Sequence, residues 1–338
     1  MWMIVPICCL AILHIAGDHV AVIPDLAGIL GDQNIYISTL YMYIVFGLLF
    51  SAVLTWIGVA TGQELVVIMK EVYGQNGKKI LAFVILSVCI PASALTGGYF
   101  AAQILNNFLG FSHFITSLFC LIIFSFLAAG YGRCLLILSN YIGLLLVPIL
   151  LIFLFFYEIN TDFIIPHINK VNWPLFLGLL GYNVGGMWSI LLVEMGAYLS
   201  ERANIAIWLV LLAKFLEGIF TLLIAYLALT APTSGTLTLS AIVAQKGGTA
   251  VTIIFNIALF CTFTNAMVPA MLVNARQISS IFGIAFYPAL LFAGIVVQLV
   301  SGMSFISILW LMSGSGFIMM CFIIYTAYLV HKYKKNQQ

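Results

Sequence analysis

Charged residues are scarce in this sequence. Of its 338 residues only 7% are Asp, Glu, Lys or Arg, whereas 64% are hydrophobic. Soluble domains are about one quarter charged and about half apolar, so a soluble chain of this composition would have too little polar surface to stay dissolved. With lipid as the solvent, the excess of apolar residues is accommodated. The composition therefore predicts an integral membrane protein that has the lipid bilayer as its surroundings.

Motifs for catalysis and for stable metal binding are also missing. The seven cysteines lie in or next to apolar runs, and Cys8 and Cys9 are adjacent, without the two-residue gap of a zinc knuckle. The sequence has no Walker-type phosphate loop, no Ser-His-Asp order and no long polar segment that could fold as a soluble domain. We therefore expect no enzyme, no ATP-driven pump, no nucleic-acid partner and no bound cofactor.

Long apolar runs set the predicted fold. Backbone polar groups in hydrocarbon must be paired internally, and runs of about 20 apolar residues suit helices that cross the ~30 Å core. The sequence predicts an all-α membrane protein of about ten transmembrane helices. The predicted spans are 2–30, 35–60, 80–109, 113–131, 135–157, 174–199, 205–230, 249–273, 280–300 and 304–330. Connections are short except for 61–79, which is predicted to be a cytoplasmic turn, and for 158–173 and 231–248.

The basic residues indicate an orientation, because cytoplasmic loops of membrane proteins are enriched in Lys and Arg. With the N-terminus inside, the outer loops hold only Lys170 and Lys246. The inner segments hold Lys70, Lys78, Lys79, Arg133, Arg202, Arg276, Lys332, Lys334 and Lys335. We therefore expect a multi-pass protein of the cell membrane with both termini in the cytoplasm.

Two spans, the first and the sixth, carry signs of interruption. The first contains Gly17-Asp18-His19, and the sixth contains Gly185-Gly186. Glycine within a helix costs roughly 1 kcal/mol relative to Ala, and an ionisable residue at mid-membrane costs about 2.5–3.5 kcal/mol on insertion scales. Interruptions at corresponding positions of two five-span halves, 1–158 and 159–338, indicate a transporter's binding site near the bilayer midplane. Alternatively, the Gly185-Gly186 pair serves only close helix packing.

Short motifs give a resemblance to a known superfamily. Leu180-Gly181-Tyr182-Asn183 and the stretch 258–265, with Arg276 after it, resemble the amino acid–polyamine–organocation superfamily, and within it the YkvI-like family of bacterial membrane proteins. The resemblance implies the LeuT fold of five plus five inverted spans, with helices one and six interrupted, and a bacterial cell membrane. The first span departs from the family, which has a Gly-Ala-Gly-Phe type of break where this chain has Gly17-Asp18-His19.

The two breaks and the third span supply the candidate substrate site. Asp18 could pair with a substrate ammonium, a metal ion or a coupling proton, and His19 could titrate near neutral pH; alternatively the two residues pair to hold the unwound turn. In the fold that the resemblance implies, the third helix lines the substrate pathway. The candidate substrate-binding residues are Ala16, Gly17, Asp18, His19, Thr96, Gly97, Tyr182, Asn183, Gly185, Gly186 and Met187.

Further polar residues suggest ion coupling and gating. The resemblance places Thr262 or Thr264 against the backbone near Ala16, as a site for Na⁺; the coupling ion could equally be H⁺. Alternatively each threonine bonds the carbonyl four residues before it in its own helix. Lys214 and Glu217 share a helix face and can neutralise each other, and together with Glu194 they are candidate gating residues.

These patterns predict an ion-coupled symporter of a small solute, and the resemblance to the superfamily implies an amino acid or related amine as the cargo. One alternative is a transporter of Mn or Fe, because 58–65 and 70–74 resemble the Nramp family; its ligands would be Asp18, His19 and Met187. A second alternative is a nutrient-sensing receptor subunit on a transporter fold, which would bind the solute without accumulating it.

Overall fold

The computed structural model describes residues 19–156, 164–182, 187–229 and 237–335, and this part of the chain is helical, without a β-strand. We number its helices in chain order: α1 Val20–Leu30, α2 Gln33–Thr61, α3 Leu65–Tyr73, α4 Gln75–Leu109, α5 His113–Ala128, α6 Arg133–Leu144, α7 Leu146–Phe156, α8 Trp173–Leu180, α9 Met187–Tyr198, α10 Ala203–Leu229, α11 Thr238–Phe282, α12 Phe286–Ser301 and α13 Phe305–Lys335.

Most of these helices are apolar enough to lie in a membrane. Six described stretches have the length and composition to cross one, and four shorter apolar helices accompany them. The long stretches are α2, α4, α6 with α7, α10, α11 and α13, and the shorter ones are α1, α5, α9 and α12. The all-α membrane fold predicted from the apolar runs is therefore confirmed. The prediction was possible because the thickness of the hydrocarbon core sets the length of an apolar run.

Two helices lie where the sequence predicts connections. The connection 61–79 contains α3, whose apolar residues Leu65, Ile68 and Met69 share one face and are buried. The connection 231–248 contains the start of α11, which runs from Thr238 to a kink at Gly248, where φ is 73°. Both pieces are too short to be recognised as membrane spans from the sequence. They are amphipathic, and such short segments form helices when their apolar face packs against a neighbour.

The third span is irregular. Within α4 the residues Ile85–Cys89 and Ala94–Ala101 form π-helical segments. The π-helix is rare and occurs frequently at functional sites. The predicted site residues Thr96 and Gly97 lie in the second of these segments.

The described residues form two compact units. The first unit takes the described residues of 1–42, 93–172 and 216–271, and the second takes those of 43–92, 173–215 and 272–338. These units reflect packing, and the five-span halves 1–158 and 159–338 remain a prediction from sequence.

The structure describes the sixth span as α8 and α9, which lie before and after the undescribed residues 183–186, and glycines bring each of these helices close to a different neighbour. A methyl group at Gly58 of α2 would collide with the Val193 carbonyl oxygen of α9, and one at Gly196 would collide with the Thr55 carbonyl oxygen of α2. Similarly, a methyl group at Gly316 of α13 would collide with backbone atoms of α8. The two described pieces of the sixth span therefore pack closely against different helices.

Candidate functional site

The structure describes part of the predicted site. Six predicted residues lie outside the described chain: Ala16, Gly17, Asp18, Asn183, Gly185 and Gly186. For Met187 the backbone is described as the start of α9. Of the others, the first unit holds His19, Thr96, Gly97, Glu217, Thr262 and Thr264, and the second holds Tyr182, Glu194 and Lys214.

His19 lies at the start of α1 and contacts two side chains of α10. Its Nδ1 is 2.7 Å from Thr221 Oγ, and its Nε2 is 3.4 Å from Glu217 Oε1. The three side chains are 1%, 0% and 5% exposed, respectively. We call His19, Glu217 and Thr221 the histidine cluster.

A hydrogen bond from Thr221 to the helix backbone indicates which nitrogen of the His19 ring carries a hydrogen. The Thr221 hydroxyl donates to the Glu217 carbonyl oxygen at 2.9 Å, and a carbonyl oxygen can only accept. The His19 Nδ1–H must therefore donate to Thr221 Oγ, which directs Nε2 at the Glu217 carboxylate. When the imidazole is protonated, this contact is a buried ion pair, which compensates two charges that would be costly alone.

Glu217 thus has a partner that sequence spacing did not indicate. Spacing along α10 suggested Lys214, which lies three residues earlier and is also buried. His19 is 198 residues away in the chain, and no periodicity within one helix could identify it. A gating role for Glu217 and Lys214 remains a prediction.

A second buried acid of the first unit is Asp25, which lies directly after Pro24 in α1. Its carboxylate accepts hydrogen bonds from the Leu237 and Thr238 N–H groups at 3.2 and 3.0 Å and from the Thr238 hydroxyl at 2.8 Å. Asp25 therefore caps α11, where a negative charge is stabilised by the helix N-terminus. Asp25 is not among the site residues predicted from the sequence. An acid within an apolar span was the available signal, but its partner is 213 residues away.

In the third span, Thr96 is 4% exposed and Gly97 lies against α11. A methyl group at Gly97 would lie 2.5–2.8 Å from side-chain atoms of the buried Met267. Close packing of α4 on α11 therefore explains why a glycine fits at position 97, and the substrate contact of Thr96 and Gly97 stays a prediction.

Thr262 and Thr264 of α11 are buried and donate to their own helix. Thr262 Oγ donates to the Ala258 carbonyl oxygen at 2.8 Å, and Thr264 Oγ donates to the Phe260 carbonyl oxygen at 3.0 Å. Each hydroxyl oxygen keeps lone pairs that can bind a cation, because its hydrogen is directed away from them. The two interpretations of these threonines are therefore compatible. The sodium site stays a prediction, since its expected partner Ala16 lies outside the described residues.

The second unit holds Tyr182 and Glu194. Tyr182 follows α8 and is buried, at 4% exposure. Glu194 is half-buried in α9, where Arg276 attracts its carboxylate and Glu64 repels it. This charge group lies within one unit, and the gating role of Glu194 stays a prediction.

Comparison with solved structures identifies the fold. MHP1, a nucleobase-cation-symport-1 family transporter in a closed conformation with bromovinylhydantoin bound, matches with a TM-score of 0.56 and 14% identity, over 87% of this chain and 70% of that one. Two mutants of the manganese transporter of Eremococcus coleocola match with TM-scores of 0.57 and 0.58, each at 12% identity, over 95% of this chain and 78% and 77% of those chains. No protein-family model and no curated protein matches the sequence.

At these identities the likeness shows the fold. The chain has the LeuT fold, as the short sequence motifs implied. The finer resemblances, to the amino acid–polyamine–organocation superfamily and to YkvI-like proteins, remain predictions.

Proposed function

We propose that the chain is an ion-coupled secondary transporter of a small solute that works by alternating access. The observation that supports this most directly is the histidine cluster, in which the buried imidazole of His19, a residue of the predicted first break, contacts the buried acid Glu217 of α10. Ionisable residues at membrane depth are costly and are typical of substrate or ion pathways. The fold, which is shared with two kinds of transporter, supports the same function.

The proposed cargo is a small amino acid or related amine. It would bind between the two breaks, with Asp18 facing its ammonium group and Tyr182 and Asn183 beside it. The coupling ion is Na⁺ or H⁺. Thr262 and Thr264 support Na⁺, because their oxygen lone pairs suit a hard cation. The histidine cluster supports H⁺, because imidazole titrates near neutral pH.

A divalent-metal transporter is the second candidate, which the fold shared with a manganese transporter favours. The described geometry of His19 does not favour it, since both ring nitrogens already face Thr221 and Glu217. We therefore prefer the amine.

The experiment that tests this proposal is thermal unfolding of the purified protein with amino acids, amines and divalent metals, each with and without sodium. A ligand that binds the folded state raises Tm according to RT ln(1 + [L]/Kd). We expect an amino acid or amine to raise Tm, and sodium to enhance the shift in the wild type but not in Thr262→Val. A shift with Mn²⁺ or Fe²⁺ alone, lost in Asp18→Ala, would contradict the amine proposal and support the metal transporter.

A further inference from the structure

A cavity of about 450 Å³ lies within the first unit, and no residue of the histidine cluster lines it. It is bounded by the end of α4 at Asn107 and Phe108, by the first turns of α11, and by the face of α11 that follows the kink at Gly248. Volumes of about 300–1,000 Å³ are typical of pockets for small molecules.

Two buried side chains of α11 meet at this cavity. Ser240 and Asn256, which are 8% and 7% exposed, both line it. The Ser240 hydroxyl donates to Asn256 Oδ1 at 2.7 Å. Across the described part of the chain, the Asn256 amide nitrogen donates no hydrogen bond. The amide nitrogen of this cavity-lining residue can therefore donate to a ligand, and a hydrogen bond of this kind contributes about 0.5–1.5 kcal/mol.

The pair presents a defined hydrogen-bonding pattern. Because the Ser240 hydrogen is directed at Asn256, the Ser240 oxygen offers lone pairs, while the Asn256 amide nitrogen offers two N–H groups. An acceptor and a donor therefore lie side by side. A ligand with a carbonyl oxygen next to an N–H group, which is an amide or imide, complements both.

Charge narrows the class of ligand further. The described lining residues carry no ionisable side chain. Besides Ser240 and Asn256 they are the polar Asn107, Thr249 and Thr252 and the apolar Phe108, Leu237, Ala241, Ala244 and Ile253. A charged solute would lose its hydration without gaining a counter-ion here, which is unfavourable. The nearby Asp25 carboxylate already accepts from Leu237 and Thr238.

We propose that this cavity is a binding site for a small neutral amide or imide, of the size of a lactam or a pyrimidinedione ring, with Asn256 donating to its carbonyl oxygen and Ser240 accepting from its N–H. The site differs from the substrate site between the two breaks. Its existence does not depend on what the chain transports.

Ligand-observed saturation-transfer NMR on the purified full chain tests this, with uracil as the probe and 1,3-dimethyluracil as a control that lacks both N–H groups. We expect uracil to bind at least tenfold more tightly than the dimethyl compound. Asn256→Leu should weaken uracil binding at least tenfold, and Asn76→Ala, at an exposed asparagine of the second unit, should leave it unchanged.

Ser240→Ala provides a second variant, which removes the acceptor and tests the site if Asn256→Leu does not fold. The proposal is overturned by absence of uracil binding to the folded wild type, by equal binding of the two pyrimidines, or by undiminished binding in the folded variants. That last outcome would place uracil elsewhere, for example at the breaks. Because this experiment measures binding, its result supports or overturns the site even if the chain does not transport the solute proposed above.

Discussion

Each of the two compact units illustrates one kind of contact between helices that are distant in sequence. In the first unit, buried polar side chains join distant helices: His19 contacts Thr221 and Glu217, and Asp25 caps α11. In the second unit, glycines let helix backbones approach, as Gly58 and Gly196 do for α2 and α9. Membrane helices lack a hydrophobic driving force between them, so both close packing and interhelical hydrogen bonds become important.

The comparison shows that an unusual residue in an apolar span can have either of two roles. In the first unit, the described contacts of His19 and Glu217 are between ionisable residues, whose chemistry could serve a transported solute; the second unit also holds ionisable residues in its spans, Glu194 and Lys214. In the second unit, the described close-contact glycines serve packing, and they hold the two halves of the sixth span to different helices. Substitutions can test whether this contrast is real.

The largest effect is expected for Gly58→Ala. The new methyl group would meet the Val193 carbonyl oxygen and the Ala197 backbone nitrogen, which cannot move aside as a side chain could. We expect a loss of about 3 kcal/mol, at the upper end of overpacking, measured as a fall in Tm. Gly47→Ala is the control in the same helix, because nothing lies within 4 Å of its added methyl. Equal Tm values for the two variants would contradict glycine packing in the second unit.

Gly316→Ala repeats the test at the other half of the sixth span. Its methyl group would meet the Leu177 carbonyl oxygen and, at 3.0 Å, the Gly181 Cα. We expect destabilisation of about 2–3 kcal/mol, whereas Gly314→Ala, two residues earlier with open space around it, should be neutral or stabilising. If the thermal unfolding curve of Gly316→Ala overlays that of the wild type, the close packing of α8 on α13 is contradicted.

Asp25→Ala tests the polar contacts of the first unit. The substitution leaves the Leu237 and Thr238 donors without their acceptor, which costs about 1–3 kcal/mol. Asp25→Asn keeps one acceptor oxygen, so we expect it to recover part of the lost Tm. If the alanine and asparagine variants both unfold at the wild-type temperature, the cap of α11 does not stabilise the first unit.

The smallest effect is expected for Gly97→Ala, at a close glycine contact of the first unit. Here the methyl group would meet the flexible end of Met267 rather than backbone. We expect a cost below about 1 kcal/mol, because methionine can take another rotamer. Differential scanning fluorimetry beside Gly58→Ala makes the comparison direct. A fall in Tm as large as that of Gly58→Ala would show that side-chain and backbone contacts do not differ as we describe.

The spans could be predicted from sequence because membrane thickness dictates the length of an apolar run. α3 could not be predicted in this way, because nine residues with an apolar stripe form a stable helix only on a packing partner. The sequence indicated Glu217, Thr262 and Thr264, because polar residues in apolar spans are costly.

The partners of these residues could not be predicted. The contact between His19 and Glu217 and the cap of Asp25 on Thr238 each join residues about 200 positions apart. Conversely, the sequence drew attention to Gly185-Gly186, whereas the described close contacts of the sixth span involve Gly178, Gly181 and Gly196. A glycine has no side chain to reveal its neighbour, so only the fold shows what it approaches.

The central claim is that the buried acid of the histidine cluster serves ion-coupled transport. The most direct test is uptake of radiolabelled amino acids into proteoliposomes under an inward sodium or proton gradient, with Glu217→Gln compared with Glu201→Gln, which changes an exposed acid. We predict gradient-driven uptake by the wild type and Glu201→Gln, and its loss in folded Glu217→Gln. Uptake by Glu217→Gln at the wild-type rate and with the same gradient dependence would contradict the claim.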